Sequence, residues 1–158
     1  MEGNAWKRGT VFIREFVPLR MVTMVANTVF DEKYKTVPMR HEWLITEEGL
    51  RISYQWKINN WHTLAVHAAN EQQTIAQGSK EEFITQHFWG YSQKKNYTSA
   101  YEVAHDPWKL YPLLDTTIDV NFEDCYGKDF SYLNAVAADS VFLVEGSPIT
   151  VYRDRKIW

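Results

Sequence analysis

A chain of 158 residues with 45% apolar and 15% aromatic side chains is one domain by length, large enough for a sizeable core and unlike a disordered tail in composition. Its formal charge of −3 and pI near 5.9 exclude the broad positive field that nucleic-acid binding needs. No uninterrupted apolar run reaches the roughly twenty residues of a membrane helix, and the single cysteine, Cys125, rules out an intrachain disulfide. With no apolar leader at its amino terminus, the chain reads as cytoplasmic.

In chain order, Trp6 to Val17 alternates as a strand does, with Phe12, Arg14 and Phe16 on one face and Val11, Ile13, Glu15 and Val17 on the other. Pro18 opens a short helix in which Leu19, Val22, Val25, Ala26 and Val29 recur at three- and four-residue spacing. Met39 to Thr46 is the next strand. Glu48-Gly49 turns the chain into the clearest strand of all, Ile52, Tyr54, Trp56 and Ile58 alternating with Arg51, Ser53, Gln55 and Lys57. After Asn59-Asn60, Thr63 to Ala69 returns antiparallel, so a meander of hairpins builds the sheet locally.

Ser79-Lys80-Glu81-Glu82 has the spacing of a capping box and predicts a helix from about Lys80 to Phe88, with Phe83, Ile84, His87, Phe88 and Tyr91 on its apolar side and Gly90 as its stop. Further strands are expected near Ser99–His105, Thr117–Phe122, Ser140–Glu145 and Ile149–Arg153, with a short helix around Phe130–Ala137. There is no repeat, low-complexity segment or interdomain linker. The expected fold is mainly β of the α+β type: an antiparallel, β-barrel-like sheet with two or three short helices, formed by residues 1–158 as one domain.

Several chemistries lack support. The five histidines show no ligand spacing, and His62 and His67, five apart on a strand, point to opposite faces, so no metal is expected. No nucleophile elbow, phosphate loop or dinucleotide fingerprint occurs, so no cofactor is expected either. Lys94-Lys95 and Arg153-Asp154-Arg155-Lys156 are short solvated runs. Cys125, between Asp124 and Tyr126 with no histidine close in sequence, reads as a partly buried structural thiol.

The strongest constellation is polar residues on apolar strand faces: Arg14 with Phe12 and Phe16, His105 with Tyr101 and Val103, Glu145 with Val141 and Leu143. A charge inside a sheet core must be paired or must meet a ligand. Two readings stay open: Arg14 and Glu145 form a structural ion pair at a seam, or they orient a small polar ligand in a pocket walled by Tyr54, Trp56 and Tyr101. Arg40-His41 adds a polar element after Pro38, at a strand start. The candidate ligand-binding set is therefore Arg14, Arg40, His41, Tyr54, Trp56, Tyr101, His105 and Glu145.

Glu82-Phe83-Ile84-Thr85-Gln86-His87-Phe88-Trp89-Gly90-Tyr91, followed by Tyr101-Glu102-Val103-Ala104-His105-Asp106-Pro107-Trp108, resembles the signature of the YqjF-like bacterial family, a domain of unknown function in the acetoacetate-decarboxylase-like superfamily. The resemblance runs through Trp6-Lys7-Arg8-Gly9, Val11-Phe12-Ile13-Arg14-Glu15, Ala26-Asn27-Thr28, Pro38-Met39-Arg40-His41 and Ser140-Val141-Phe142-Leu143-Val144-Glu145-Gly146-Ser147. It implies an acetoacetate-decarboxylase-like fold, and that the chain corresponds to the C-terminal two thirds of a full-length member, without the family's N-terminal block. In the decarboxylase a lysine pair before a proline forms a Schiff base, one lysine lowering the other's pKa. The comparable segment here, Asp31-Glu32-Lys33-Tyr34-Lys35-Thr36-Val37-Pro38, aligns Lys33 with the reactive lysine but puts Tyr34 where the second cation belongs, and acidic neighbours disfavour a neutral amine.

The expected function is binding of a small, partly apolar organic molecule in a barrel pocket, without proven catalysis. One alternative is a Schiff-base carbonyl enzyme, a decarboxylase-like lyase, using Lys33. Another is an interaction module: unpaired strand edges favour pairing with a second copy, so a homodimer is expected, with neither nucleic acid nor membrane as partner.

Overall fold

The computed structural model describes residues 9–29, 32–94, 96–152 and 155–157. Trp6, Lys7, Arg8, Asp31, Lys95, Arg153 and Asp154, which entered the sequence reading, lie outside the described residues. The architecture is mostly β with a few short helices. In chain order the elements are β1 (Thr10–Val11), β2 (Glu15–Val17), α1 (Arg20–Val29), β3 (Tyr34–Thr36), β4 (Met39–Thr46), β5 (Gly49–Lys57), β6 (Trp61–Ala68) and β7 (Gln73–Thr74). There follow α2 (Lys80–Thr85), β8 (Trp89–Gln93), β9 (Thr98–His105), β10 (Lys109–Tyr111), β11 (Leu113–Asp119), α3 (Phe122–Tyr126), a 3-10 turn over Lys128–Ala135, β12 (Leu143–Glu145), β13 (Ile149–Val151) and β14 (Arg155–Lys156).

The chain divides into two compact units. One comprises the described parts of Met1–Ile13, Ile75–Trp108 and Gly146–Trp158; the other comprises Arg14–Thr74 and Lys109–Glu145. In the first, β8 and β9 form an antiparallel pair, β1 joins β8 in parallel, and β13 and β14 both pair with β9. The second contains an open four-stranded antiparallel sheet in the order β11-β6-β5-β4, a three-stranded sheet β12-β10-β7, and the parallel pair β2-β3. Among the described residues no sheet closes on itself, so the expected barrel is not formed. β4 and β11 remain edges of the sheet they belong to.

The strands with clean alternation form where expected. β4 runs over Met39–Thr46, and β5 begins at Gly49, whose φ of 137° and place in the hairpin suit a residue without a side chain. A Cβ on Gly49 would lie 2.3 Å from the Ala68 carbonyl oxygen. Other expectations fail: the strand expected over Thr117–Phe122 runs over Leu113–Asp119, and Phe122 opens α3. The Trp6–Val17 strand is interrupted: its described part is β1 and β2, separated by Phe12, Ile13 and Arg14, each strand pairing in a different sheet. The helix after Ser79 is capped as expected, with the Glu82 amide donating to Ser79 Oγ at 3.1 Å, but it ends at Thr85. Trp89 to Gln93 instead alternates as β8, because His87, Trp89 and Tyr91 carry a period of two that β9 satisfies by pairing. Gly90 is not a helix stop: it sits opposite Tyr101, whose ring would come within 2.3 Å of any Cβ there.

The core of the larger unit lies at one end of the four-stranded sheet. Val37, Trp56 and Cys125 are buried there, with Phe16, Met39, Ile58, Val120 and Tyr126 packed around them. The register places Met39, Trp56 and His62 in one row across β4, β5 and β6. α3, N-capped by the Asn121 side chain, brings Cys125 over that row, where Trp56 Nε1–H donates to its Sγ at 3.5 Å. Burial pushes the Cys125 thiol up, Trp56 and Arg14 counteracting and Asp124 adding to the rise, so the thiol form is favoured, as expected of a structural cysteine. The His62 ring packs against Trp56, with centroids 5.6 Å apart, and its Nδ1 accepts from the Asn121 amide at 3.2 Å.

Candidate functional site: a groove across the four-stranded sheet

The two faces of the β11-β6-β5-β4 sheet differ in character because each strand alternates. One face carries His41, Trp43 and Ile45 opposite Tyr54, Ile52 and Leu50, which in turn face Leu64, Val66 and Ala68. The other is polar, and two of its rows lie side by side at mid-sheet. Leu44, Arg51, His67 and Asp115 form one, and Glu42, Ser53, Ala65 and Thr117 the other. Directly opposed side chains on neighbouring strands stand about 4.5–5.5 Å apart at Cβ, so each row is a continuous line of groups.

Ser53 and Ala65, the smallest of these side chains, lie side by side at the middle of their row. They form the floor of a concavity of about 250 Å³, lined by Glu42, Leu44, Arg51, His67, Asp115 and Thr117 around them. Its volume is below the roughly 300–1,000 Å³ of pockets for drug-sized ligands, which limits an occupant to a small molecule. Among the described residues no hydrogen bond or ion pair engages the side chains of Glu42, Arg51, Ser53, His67, Asp115 or Thr117, and His67 Nε2 is buried without a hydrogen-bonding partner. The groove thus offers a guanidinium with two carboxylates, two hydroxyls and an imidazole, beside the apolar Leu44 and Ala65.

None of the residues singled out in the sequence lines this groove. Tyr101 and His105 belong to the smaller unit, and Arg14, Arg40, His41, Tyr54, Trp56 and Glu145 to the larger. Arg14 donates through Nη1 to the Cys125 carbonyl at 2.7 Å, whereas Glu145 accepts from the Tyr111 hydroxyl and, at 3.3 Å, from Gln72 Nε2; that bond to Glu145 is the main reason the Tyr111 hydroxyl is pushed up. The two charges are each engaged with other groups. Arg40 and His41, adjacent on β4, point to opposite faces and are not one polar element. Arg40 bonds Gln55 and lies 4.2 Å from the centroid of Trp61, next to the groove. His41 packs edge-on to Trp43 and tilted against Tyr54 on the apolar face, and Trp56 is consumed by the core.

In the smaller unit, His105 lies between Phe88 and Trp108, with centroids at 5.8 and 4.5 Å, and its Nδ1 is 2.7 Å from the Asp106 carbonyl. Tyr101 stacks on Phe12. Lys33 is exposed on the loop before β3, flanked by Glu32 and Tyr34. Burial, with Glu15 and Glu32 adding, pushes the Tyr34 hydroxyl up and keeps it a neutral phenol; a tyrosine has no cationic form with which to lower its neighbour's pKa.

Among the described residues no group of three or more His, Cys, Asp or Glu side chains is placed to hold a metal ion, and no helix is long and apolar enough to cross a membrane. The sequence reading missed the groove because Arg51, His67 and Asp115 come from three strands. The available signal was the alternation of Arg51 and Ser53 on β5, which the register with β6 and β11 turns into a site.

A model of the family DUF2071, described as an uncharacterized conserved protein, matches residues 1–148. No curated protein and no solved structure matches the chain. The match runs through both compact units and through every strand that builds the groove, and the chain belongs to the DUF2071 family.

Proposed function

We propose that this protein binds a small organic acid in the groove across β5 and β6. The observation that carries the reading is a concavity whose polar side chains have no partner among the described residues. Ser53 and His67 are half-buried, where polar groups are normally satisfied; Glu42, Arg51, Asp115 and Thr117 stand exposed around them, and a guanidinium is suited to bidentate pairing with a carboxylate. Arg51 takes the carboxylate of the ligand. Glu42 or Asp115 accepts from a hydroxyl or amine at its far end, and Leu44 and Ala65 meet its short apolar part. Binding without covalent chemistry is the activity proposed, since Lys33 stands on an exposed loop with no cationic neighbour on either side in sequence.

The test is a thermal-shift and NMR screen of short carboxylic acids, hydroxy acids, amino acids and ketones. Arg51→Gln is expected to weaken a hit by about 10- to 100-fold, the worth of one charge-assisted bidentate contact, while Arg14→Ala and His105→Ala leave it unchanged. Shifts that map away from β5 and β6, or a hit indifferent to Arg51→Gln, would sink the reading. Borohydride trapping with acetoacetate separates the lyase alternative: a mass increase that vanishes in Lys33→Ala would replace binding with imine chemistry.

A further inference from the structure

α1 is attached by its polar side. Thr23 Oγ1 bonds Thr36 Oγ1 at 2.7 Å, and Asn27 bonds the Tyr34 backbone twice, its Oδ1 accepting from the amide at 2.8 Å and its Nδ2 donating to the carbonyl at 2.9 Å. One turn apart, these two residues fix the face that meets β3. The opposite side of the same helix is apolar and open: Met21 is 71% and Met24 60% exposed, with Val22 and Val25 beside them. A helix normally turns its apolar stripe to the core and its polar side to water; α1 does the reverse.

A second surface of the same unit is open in the same sense. The apolar face of the four-stranded sheet is covered at the Trp56 end and bare beyond it, with Trp43 61% and Ile45 71% exposed and Tyr54 beside them. Aromatic and aliphatic groups this close together exceed the scattered apolar exposure usual on a monomer.

We propose that these surfaces are two halves of one interface, the apolar side of α1 packing on the open sheet face of a second copy of this chain and the second copy reciprocating. A helix laid on a sheet is a standard layer packing, and a two-fold axis uses the unlike pair twice, once in each direction. Area favours the reciprocal form. One helix-on-sheet contact removes on the order of 1,000 Å² in total, in the range of weak encounters, whereas two remove roughly 2,000 Å², where stable homodimers begin. The occupant is a second copy because this chain supplies both halves, a convex helix and a flat sheet, neither carrying a charge in its centre. The interface lies on the sheet face opposite the groove and does not depend on its ligand.

The experiment measures the mass of the full chain by sedimentation across concentration, for wild type, Met24→Glu and Trp43→Glu, with circular dichroism as a check on folding. The wild type is expected to be a dimer, and each variant to raise the dimer dissociation constant by at least about 100-fold, because each charge is introduced twice per dimer. Mixing the two variants should restore part of the association, since one helix-to-sheet contact is then intact on both sides. A variant that fails to fold is replaced by Val25→Glu for the helix or Ile45→Glu for the sheet. A wild-type monomer at every concentration, a dimer indifferent to both charges, or no recovery on mixing would each overturn the proposal.

Discussion

The two ends of one sheet face make an instructive contrast. At one end Trp56 is 8% exposed, packed under α3 with its indole N–H on Cys125, and the row it shares with Met39 and His62 is closed by Phe16, Val37 and Tyr126. A few residues along the same strands, Trp43, Ile45, Tyr54 and Leu64 face outward and open. Both ends have the same alternation, the same ladder and comparable side chains, so strand pattern does not decide which is core. What decides it is the chain laid across: β2, the Val37 loop and α3 reach only the first end. Apolar side chains on a strand are an offer of burial, and stability comes from whichever element accepts it.

The sharpest way to break this contrast is to remove the closed end's anchor. Trp56→Ala should cost about 3–5 kcal/mol, combining lost transfer energy with the cavity left beneath α3. Urea denaturation followed by circular dichroism measures it; a loss under 1 kcal/mol would mean that α3 does not hold the row closed. Next comes the hairpin that sets the register of both ends. Gly49→Ala places a Cβ against the Ala68 carbonyl at a φ of 137°, a combination of clash and backbone strain worth about 1–3 kcal/mol. It should also disturb groove signals from Arg51 and His67 in an NMR spectrum, since register carries both rows.

Much of the framework was legible in the sequence because it is local. β4 and β5 announce themselves by period, and Ser79 with Glu82 by capping chemistry. What was illegible is set by partners distant in the chain. Phe12 to Arg14 continues the alternation of a strand, yet the residues on either side pair in different sheets. Tyr91 fits a helical stripe with His87 in isolation and becomes part of β8 only because β9 is there to pair. The candidate site suffered most. Arg14, His105 and Glu145 were singled out as polar residues on apolar faces, and each is engaged separately, with the Cys125 carbonyl, the Asp106 carbonyl and Tyr111. Arg51, His67 and Asp115 look ordinary one at a time and meet only through the register of three strands.

Electrostatics also distinguish the closed end. Glu15, on β2 next to Phe16, has its carboxyl pushed above the ordinary 4.5 by burial and then by Glu32. The folded chain therefore holds this proton to a higher pH than the unfolded chain does. Stability falls as pH rises through the window above the ordinary glutamate value, where the folded carboxylate must ionise against burial. Glu15→Gln should be more stable than wild type at neutral pH, and the gain should shrink to nothing below about pH 4. Denaturation midpoints at the two pH values measure it. A gain that persists in acid would show that the benefit comes from packing and not from charge.

The smallest expected effect closes the contrast. Trp43 and Trp56 lie on neighbouring strands with side chains on the same sheet face, as the register of Met39 with Trp56 and of Trp43 with Ile52 requires, and both are tryptophans in strands of similar length. If exposure alone separated them, Trp43→Ser would change the stability of the dilute, monomeric chain by no more than about 0.5 kcal/mol, against several for Trp56→Ala. The substitution should at the same time lower the midpoint measured at high protein concentration, because a residue that stabilises only through a partner contributes in proportion to how much partner is bound. Chemical denaturation at two concentrations a hundredfold apart reads both numbers from one protein. A large loss at the low concentration would mean that Trp43 is already covered within its own chain and that the sheet face has no open end.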